Sequence, residues 1–338
     1  MRKDLSFLFL GLVLGALVTA GVFVGVLRSG GSTAAGGGPT VIKLAHVLDR
    51  SHPVHKGMEE MDRRLRELSG GTVELLIIPN SPLGSETECL SQVRSGALAM
   101  TKVSAASLES FVPEMAVFSL PYLFRDREHF WKVLEGPIGE ELLQAGDSVG
   151  IHGLCYYDSG SRSFYTVGKP ILTPEDVKGM KIRVMQSPMA MDLIRTLGGA
   201  PTPIAWGELY TALQQGMVDG AENNEPSLST SRHYEVAKHY SLDEHTSIPD
   251  VLVMSKQAWD RLPPHVQAWV TQAARESVPY QRKVWEEQVE RSMAEIKAAG
   301  VTIHRPDKAP FVEASAPMYA PFEGKPLGIL AQRIREVK

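Results

Sequence analysis

The sequence predicts an α/β fold in two lobes of similar construction, with a cleft between them, and three patterns carry that prediction. The chain opens on a strand, an amphipathic helix and a second strand. One helix-to-strand segment is echoed about 120 residues further on. Near the C-terminus one helical pattern runs long enough to reach across both lobes.

In chain order, Val41 to Val47 is a short β-rich run, and Val54, Met58, Met61, Leu65 and Leu68 then recur at spacings of four and three. Ser69-Gly70-Gly71 stops that helix, and Thr72 to Ile78 resumes as an apolar strand of the kind buried in parallel sheets. The echo pairs Leu90, Val93, Gly96 and Leu98 with Tyr210, Leu213, Gly216 and Val218 at identical spacing. Both copies read as helix, glycine stop, strand. Strand carboxyl ends face the crevice in α/β lobes, so the echo nominates Lys102 to Ser104 and Glu222 to Asn224. Thr173-Pro174-Glu175-Asp176 is a helix start, and Lys181 to Val184 alternates like a strand. Pro264 to Ala298 reads as one unbroken helix, roughly 50 Å long at 1.5 Å per residue.

Composition excludes some functions. The chain has 338 residues, 43% hydrophobic and 22% charged, enough for two cores, and its net charge of −4 comes with no basic block. Nucleic acid is therefore excluded as a partner, and an anionic ligand must be met by a few placed cations. Arg2 and Lys3 precede an uncharged stretch from Leu5 to Leu27, which reads as an export segment. It is about as long as a membrane span, so residues 1–39 are expected to be a signal peptide or a membrane anchor followed by a Gly-rich tether. Small-residue cleavage sites occur at Val18-Thr19-Ala20 and Ser32-Thr33-Ala34, and no cysteine follows closely enough to carry a lipid. Cys89 and Cys155 are the two cysteines, and sequence leaves a bridge between them open.

No nucleophile elbow, phosphate-binding glycine loop or Cys/His pair is recommended by spacing, so no catalytic residue and no cofactor are assigned. His52, His55 and Glu59 have helical metal-ligand spacing, but a polar helix entrance explains them as well, and no metal site is assigned. By alternation alone, Ile182 and Val184 take the buried face of their strand and Arg183 faces solvent. Arg162 sits in a loop before Phe164-Tyr165, and Asn223-Asn224 read as a turn.

The stretch from Gly179 to Asn224, GMKIRVMQSPMAMDLIRTLGGAPTPIAWGELYTALQQGMVDGAENN, resembles the signature region of the solute-binding proteins of TRAP (tripartite ATP-independent periplasmic) transporters. LGSE at 83–86, SGALAM at 95–100, AVFSLPYLF at 116–124 and HYEVAKHY at 233–240 extend the likeness over most of the chain. The resemblance implies a two-lobed periplasmic binding protein with a ligand cleft between the lobes and a long helix spanning both. It implies a substrate carboxylate held by Arg183, with Arg162 and Asn223 beside it. A guanidinium suits that task because its planar fork meets both carboxylate oxygens. Trp206 would pack the ligand, Glu86 would reach its hydroxyls, and Ser104, His46 and Lys102 would be first-lobe contacts. Members that bind 2-oxoacids through a metal carry an aromatic after the glutamate, whereas here Asn223 follows Glu222.

The runs GAENNEPS, HYEVAKHYSLDEH and VLVMSKQAWD are similar to the branch that binds hexuronates such as glucuronate or galacturonate. Asn224, Glu244 and His245 would then supply further polar partners. Lobe I is expected from 40–160 and 249–288, and lobe II from 161–248 and 289–338. The implied partners are a small organic acid and the integral-membrane subunits of a TRAP permease, which the receptor, a monomer in the periplasm, would meet after closing on its ligand. Two rivals remain on sequence alone, a sugar-acid-processing enzyme and a ligand-sensing partner of a membrane signalling protein.

Overall fold

The computed structural model describes residues 38–338, so the predicted export segment and nearly all of the tether lie outside the described residues. The strands are β1 (Thr40–Ala45), β2 (Val73–Ile78), β3 (Met100–Ser104), β4 (Ile151–Tyr157), β5 (Arg162–Thr166) and β6 (Lys181–Val184). They continue as β7 (Ala200–Pro203), β8 (Gly220–Asn223), β9 (His239–Thr246), β10 (Asp250–Ser255) and β11 (Thr302–His304). Two sheets result, in the orders β2-β1-β3-β10-β4 and β11-β9-β5-β8-β6-β7.

The opening β-α-β unit is present, with β1 and β2 parallel from Thr40 opposite Val73 to Ala45 opposite Ile78. The helix Pro53–Leu68 between them buries Val54, Met58, Met61 and Leu65 against the first sheet. Both copies of the echo fold alike. The helix Glu86–Ser95 ends at Gly96, in the left-handed region at φ 80°, and leads into β3. The helix Leu209–Gln214 ends near Gly216, at φ 67°, and leads into β8. A glycine is needed at each stop because a Cβ resists that backbone conformation. The Thr173 start yields only the 3-10 turn Pro174–Val177, which Thr173 and Asp176 cap reciprocally.

The chain crosses between the sheets at 158–161 and again at 247–249, and Ser161 Oγ lies 3.2 Å from Ser247 Oγ, tying the two crossings together. After the second crossing β10 inserts antiparallel between β3 and β4, so the first sheet is completed by chain that has returned from the second. The helix Pro264–Ala298 packs on Pro53–Leu68 in its first half and on the short helix Glu225–Thr230 towards its end. The helix runs unbroken, as its spacing predicts, although Pro279 lies within it and removes one backbone hydrogen bond. Two residues on, buried Gln281 pins the first crossing, accepting from Asp158 N at 2.8 Å and donating to Asp158 O at 2.9 Å. The last helix, Pro326–Glu336, lies against the first lobe's helices through Arg333 with Glu141 and Ile334 O with His129.

Cys89 and Cys155 are both buried and free. Burial pushes the Cys89 thiol up to about 11. Among the described residues no helix is long and apolar enough to cross a membrane.

Candidate ligand-binding cleft

Between the two sheets lies a cleft with about 600 Å3 of empty space, partly open to solvent. Both strands ending the echoed units contribute to it, through Lys102 and Ser104 of β3 and Asn223 of β8. Lys102 and Ser104 are two apart on one strand and share a face. Glu86 reaches the cleft because it is the first residue of its helix, whose N-cap Ser85 and Glu88 form a capping box that fixes the entry direction.

The first-lobe wall is an ionic cluster. Lys102 Nζ sits 3.2 Å from Glu86 Oε1 and 3.1 Å from Asp250 Oδ1. Glu86 also accepts from Ser104 N at 3.2 Å and Ser107 Oγ at 2.6 Å. Burial works against the Lys102 charge, but the two carboxylates hold its ammonium above the usual lysine value. Lys102 is therefore protonated and shared between two acids.

The second-lobe wall carries the arginines. Arg162 is buried and forks onto Glu222, with Nε to Oε2 at 2.5 Å and Nη2 to Oε1 at 2.9 Å, while Nη1 donates to Asn223 Oδ1 at 3.1 Å. Burial opposes the Glu222 charge, yet Arg162 holds its carboxyl down at about 2. Arg183 differs. It is only 2% exposed, which overturns the solvent-facing reading of its strand. Only Lys181 of β6 is exposed, because β6 lies between β8 and β7 and Trp206 stands beside the far face. Arg183 Nε donates to Ile204 O at 2.9 Å, and its guanidinium lies 5.6 Å from the Trp206 ring centroid. Its Nη1 is buried with no hydrogen-bond partner, and no carboxylate pairs with it among the described residues. Burial lowers the Arg183 pKa, the mark of a cation in a poorly solvated place.

Of the sequence-predicted residues, Arg183, Arg162, Asn223, Glu86, Trp206, Ser104 and Lys102 line the cleft together. Three do not. His46 is turned into the first lobe, with Nε2 2.9 Å from His55 Nδ1 and Nδ1 accepting from Leu48 N. Asn224 caps the helix Glu225–Thr230 and donates to Ser159 O, so its amide is spent on structure. His245 stands behind Arg162, bonded to Asp243 at 2.7 Å and 3.5 Å from Glu222. Glu244 is also off the cleft, paired with Lys308 in a separate cavity at the hinge.

Sequence reasoning missed Asp250, Ser107, Gln186 and Ser227, and took His52 for a metal-ligand candidate. His52 caps the helix Pro53–Leu68 by accepting from Val54 N, which leaves Nε2 to meet Ser227 Oγ of the second lobe at 3.4 Å. Burial and then Lys102 push its pKa down to about 3, so it is neutral. Thr87 donates to Gln186 at 2.5 Å, a second contact across the cleft. Among the described residues no cluster of His, Cys, Asp and Glu could hold a metal ion. Asp250 had a signal in its position, one residue after the second crossing and opposite Ser104.

Two crossed-over lobes and a cleft that holds an unpaired buried cation give the architecture of a solute-binding receptor. The chain belongs to the bacterial extracellular solute-binding protein family 7, whose DctP model matches residues 44–325. It is the receptor component of a TRAP transporter and not an enzyme. It is 44% identical to a TRAP periplasmic solute-binding protein of Bradyrhizobium, solved with galacturonate, over 87% of this chain and 99% of that one, with a TM-score of 0.85. A receptor of Roseobacter denitrificans, solved with β-D-glucuronate, is 38% identical over 88% of this chain and all of its own, again with a TM-score of 0.85. The C4-dicarboxylate-binding periplasmic protein DctP of Rhodobacter capsulatus is 33% identical over 86% of each chain.

Proposed function

We propose that the cleft captures a hexuronate such as glucuronate or galacturonate, with its carboxylate on Arg183 and its hydroxyls towards the first lobe. The carrying observation is the Arg183 Nη1, buried and unpartnered, because such a group demands an explanation that an acid supplies. Arg162 is neutralised by Glu222, so it steers and holds Asn223 more than it supplies charge. Trp206 offers a face for the sugar ring, and Glu86 accepts from hydroxyls. Hinge closure about the 158–161 and 247–249 crossings brings the walls together. We propose that lobe I holds 40–160 and 249–288, and lobe II 161–248 and 289–338, so that two boundaries fall at these crossings and the third within the helix Pro264–Ala298.

The closed receptor would act as a monomer, without nucleic acid or cofactor, and hand its ligand to the integral-membrane permease subunits. We further propose that residues 1–39 export it to the periplasm and leave it either tethered or cut near Ala34. Intact mass of periplasmic protein tests this; a mature form starting well beyond residue 45 would remove β1 and contradict it. For the ligand, thermal unfolding with hexuronates, succinate and malate is the test. At 100 times its dissociation constant a hexuronate should add roughly 2.7 kcal/mol of stability. Stabilisation by dicarboxylates with none from uronates would reject the substrate.

A further inference from the structure

We propose that Lys102 and Asp250 form a hydroxyl-reading end to the cleft that admits acids with a single carboxylate and turns away those with a second. The inference rests on the hexuronate reading for the orientation of the ligand, and it makes Asp250 a determinant of specificity.

The argument is a count of donors and acceptors. An ammonium has three protons, and Lys102 commits one to Glu86 Oε1 at 3.2 Å and one to Asp250 Oδ1 at 3.1 Å, leaving one. Asp250 Oδ2 has no hydrogen-bond partner among the described residues. Glu86 Oε1 is filled from within, by Lys102 and Ser104 N, while Oε2 accepts only from Ser107 Oγ and keeps one lone pair for a ligand hydroxyl. This end of the cleft therefore offers one donor beside carboxylate acceptors, Asp250 Oδ2 foremost and the second lone pair of Glu86 Oε2 next to it. A hydroxyl matches both, giving its proton to Asp250 Oδ2 and receiving one from Lys102. A carboxylate matches only the donor, since it is acceptor-only at neutral pH and would face Asp250 Oδ2 with no proton between them.

Charge points the same way. Two carboxylates share one ammonium here, so the first-lobe end carries a net negative charge, whereas the second-lobe wall sets two arginines against Glu222. The site is a dipole that complements one anionic end and one neutral polar end. Lys102, Asp250, Arg162, Arg183 and Glu222 are buried and Glu86 is half-buried, and in such surroundings like charges repel more strongly than in water. Burial raises the Asp250 carboxyl against the pull of Lys102, and the Glu86 charge adds to the rise, so the pair already resists more negative charge.

Titration calorimetry with acids of one carbon skeleton reads this directly: galacturonate against galactarate, and erythronate against meso-tartrate. The full receptor should bind each monocarboxylate on the order of 100-fold tighter than its dicarboxylate counterpart, by juxtaposition of like charges. Asp250→Asn and Glu86→Gln should each narrow that ratio by at least about tenfold. Circular dichroism and an unfolding midpoint confirm that a variant is folded, and either variant serves if the other is not. Galactarate or meso-tartrate binding as tightly as its partner, or a ratio unchanged in the folded variants, would overturn the proposal. Failure of galacturonate with erythronate still preferred over meso-tartrate would refute the hexuronate reading and leave the filter standing. Binding of neither kind of acid would refute both.

Discussion

Replacing Arg183 separates a ligand clamp from a structural arginine, because the two roles move affinity and stability in different directions. Among the described residues the side chain makes one hydrogen bond, to Ile204 O, and buries Nη1 with no protein group to accept from it. A carboxylate would complete the fork in a closed, poorly solvated site. Truncating one partner of such a pair typically costs about 2–5 kcal/mol, or roughly 30-fold to several-thousand-fold in affinity. Arg183→Ala should lose that much by calorimetry with a hexuronate, and should lose little with the ligand's uncharged amide, which never made the pair. Arg183→Lys keeps the charge without the planar fork and should fall between, weaker by about 10–100-fold. Arg183→Met removes a buried cation without a counter-ion, so the ligand-free midpoint should hold or rise. A structural arginine predicts the reverse, a lowered midpoint with affinity intact. Wild-type affinity in both the Lys and Ala variants would show that the clamp is elsewhere.

Three further outcomes follow from the packing and the buried charges. Burial lowers the His245 pKa, but Asp243 and Glu222 outweigh it and raise the group from 6.5 to about 9. Its contribution is therefore fully present below about pH 6.5 and lost as pH rises through about 9, so His245→Gln should flatten that fall in unfolding free energy, by about 1–3 kcal/mol. Gly57→Ala should destabilise by about 1–3 kcal/mol in chemical denaturation, since a Cβ there would lie 2.6 Å from Gln281 Cγ. Breaking the Arg162–Glu222 pair with Glu222→Gln should lower the melting temperature, with a cost of about 3–5 kcal/mol; a neutral outcome would mean that Arg162 finds another anion.

The opening β-α-β unit and the echoed helix-glycine-strand units were legible in the sequence because each rests on local periodicity and a backbone-breaking glycine. Their carboxyl ends fell at the cleft for a topological reason, and the echo located Lys102, Ser104 and Asn223 before any contact was known. The insertion of β10 between β3 and β4 was not legible from periodicity. It depends on chain that leaves the first sheet at Tyr157 and returns at Asp250, and no window of sequence carries that pairing. The helix Pro264–Ala298 was legible as one stretch, and its packing against Pro53–Leu68 accompanies its passage through Pro279, whose missing N–H disfavours a helix interior.

The site divides along a similar line, with a different physics. Strand alternation put Arg183 in solvent because it assumes that one face of a strand is wet. In β6 both faces are covered, one by core and the other by the cleft under Ile204 and Trp206. Only the family resemblance could override that assumption, since burying a guanidinium without an anion is unfavourable for folding and no folding rule would choose it. His46, Asn224 and His245 illustrate the limit of that same resemblance. Each is close in sequence to a cleft residue, but a polar side chain within reach of an unpaired backbone or carboxylate group is claimed by it first: Leu48 N, Ser227 N and Asp243 take these three. Arg183 is what remains when such local claims are satisfied. Its free Nη1 is the part of the structure that folding leaves unfinished; in the proposed reading a ligand carboxylate would finish it, and the same atom that costs folding free energy would then give closure its driving force.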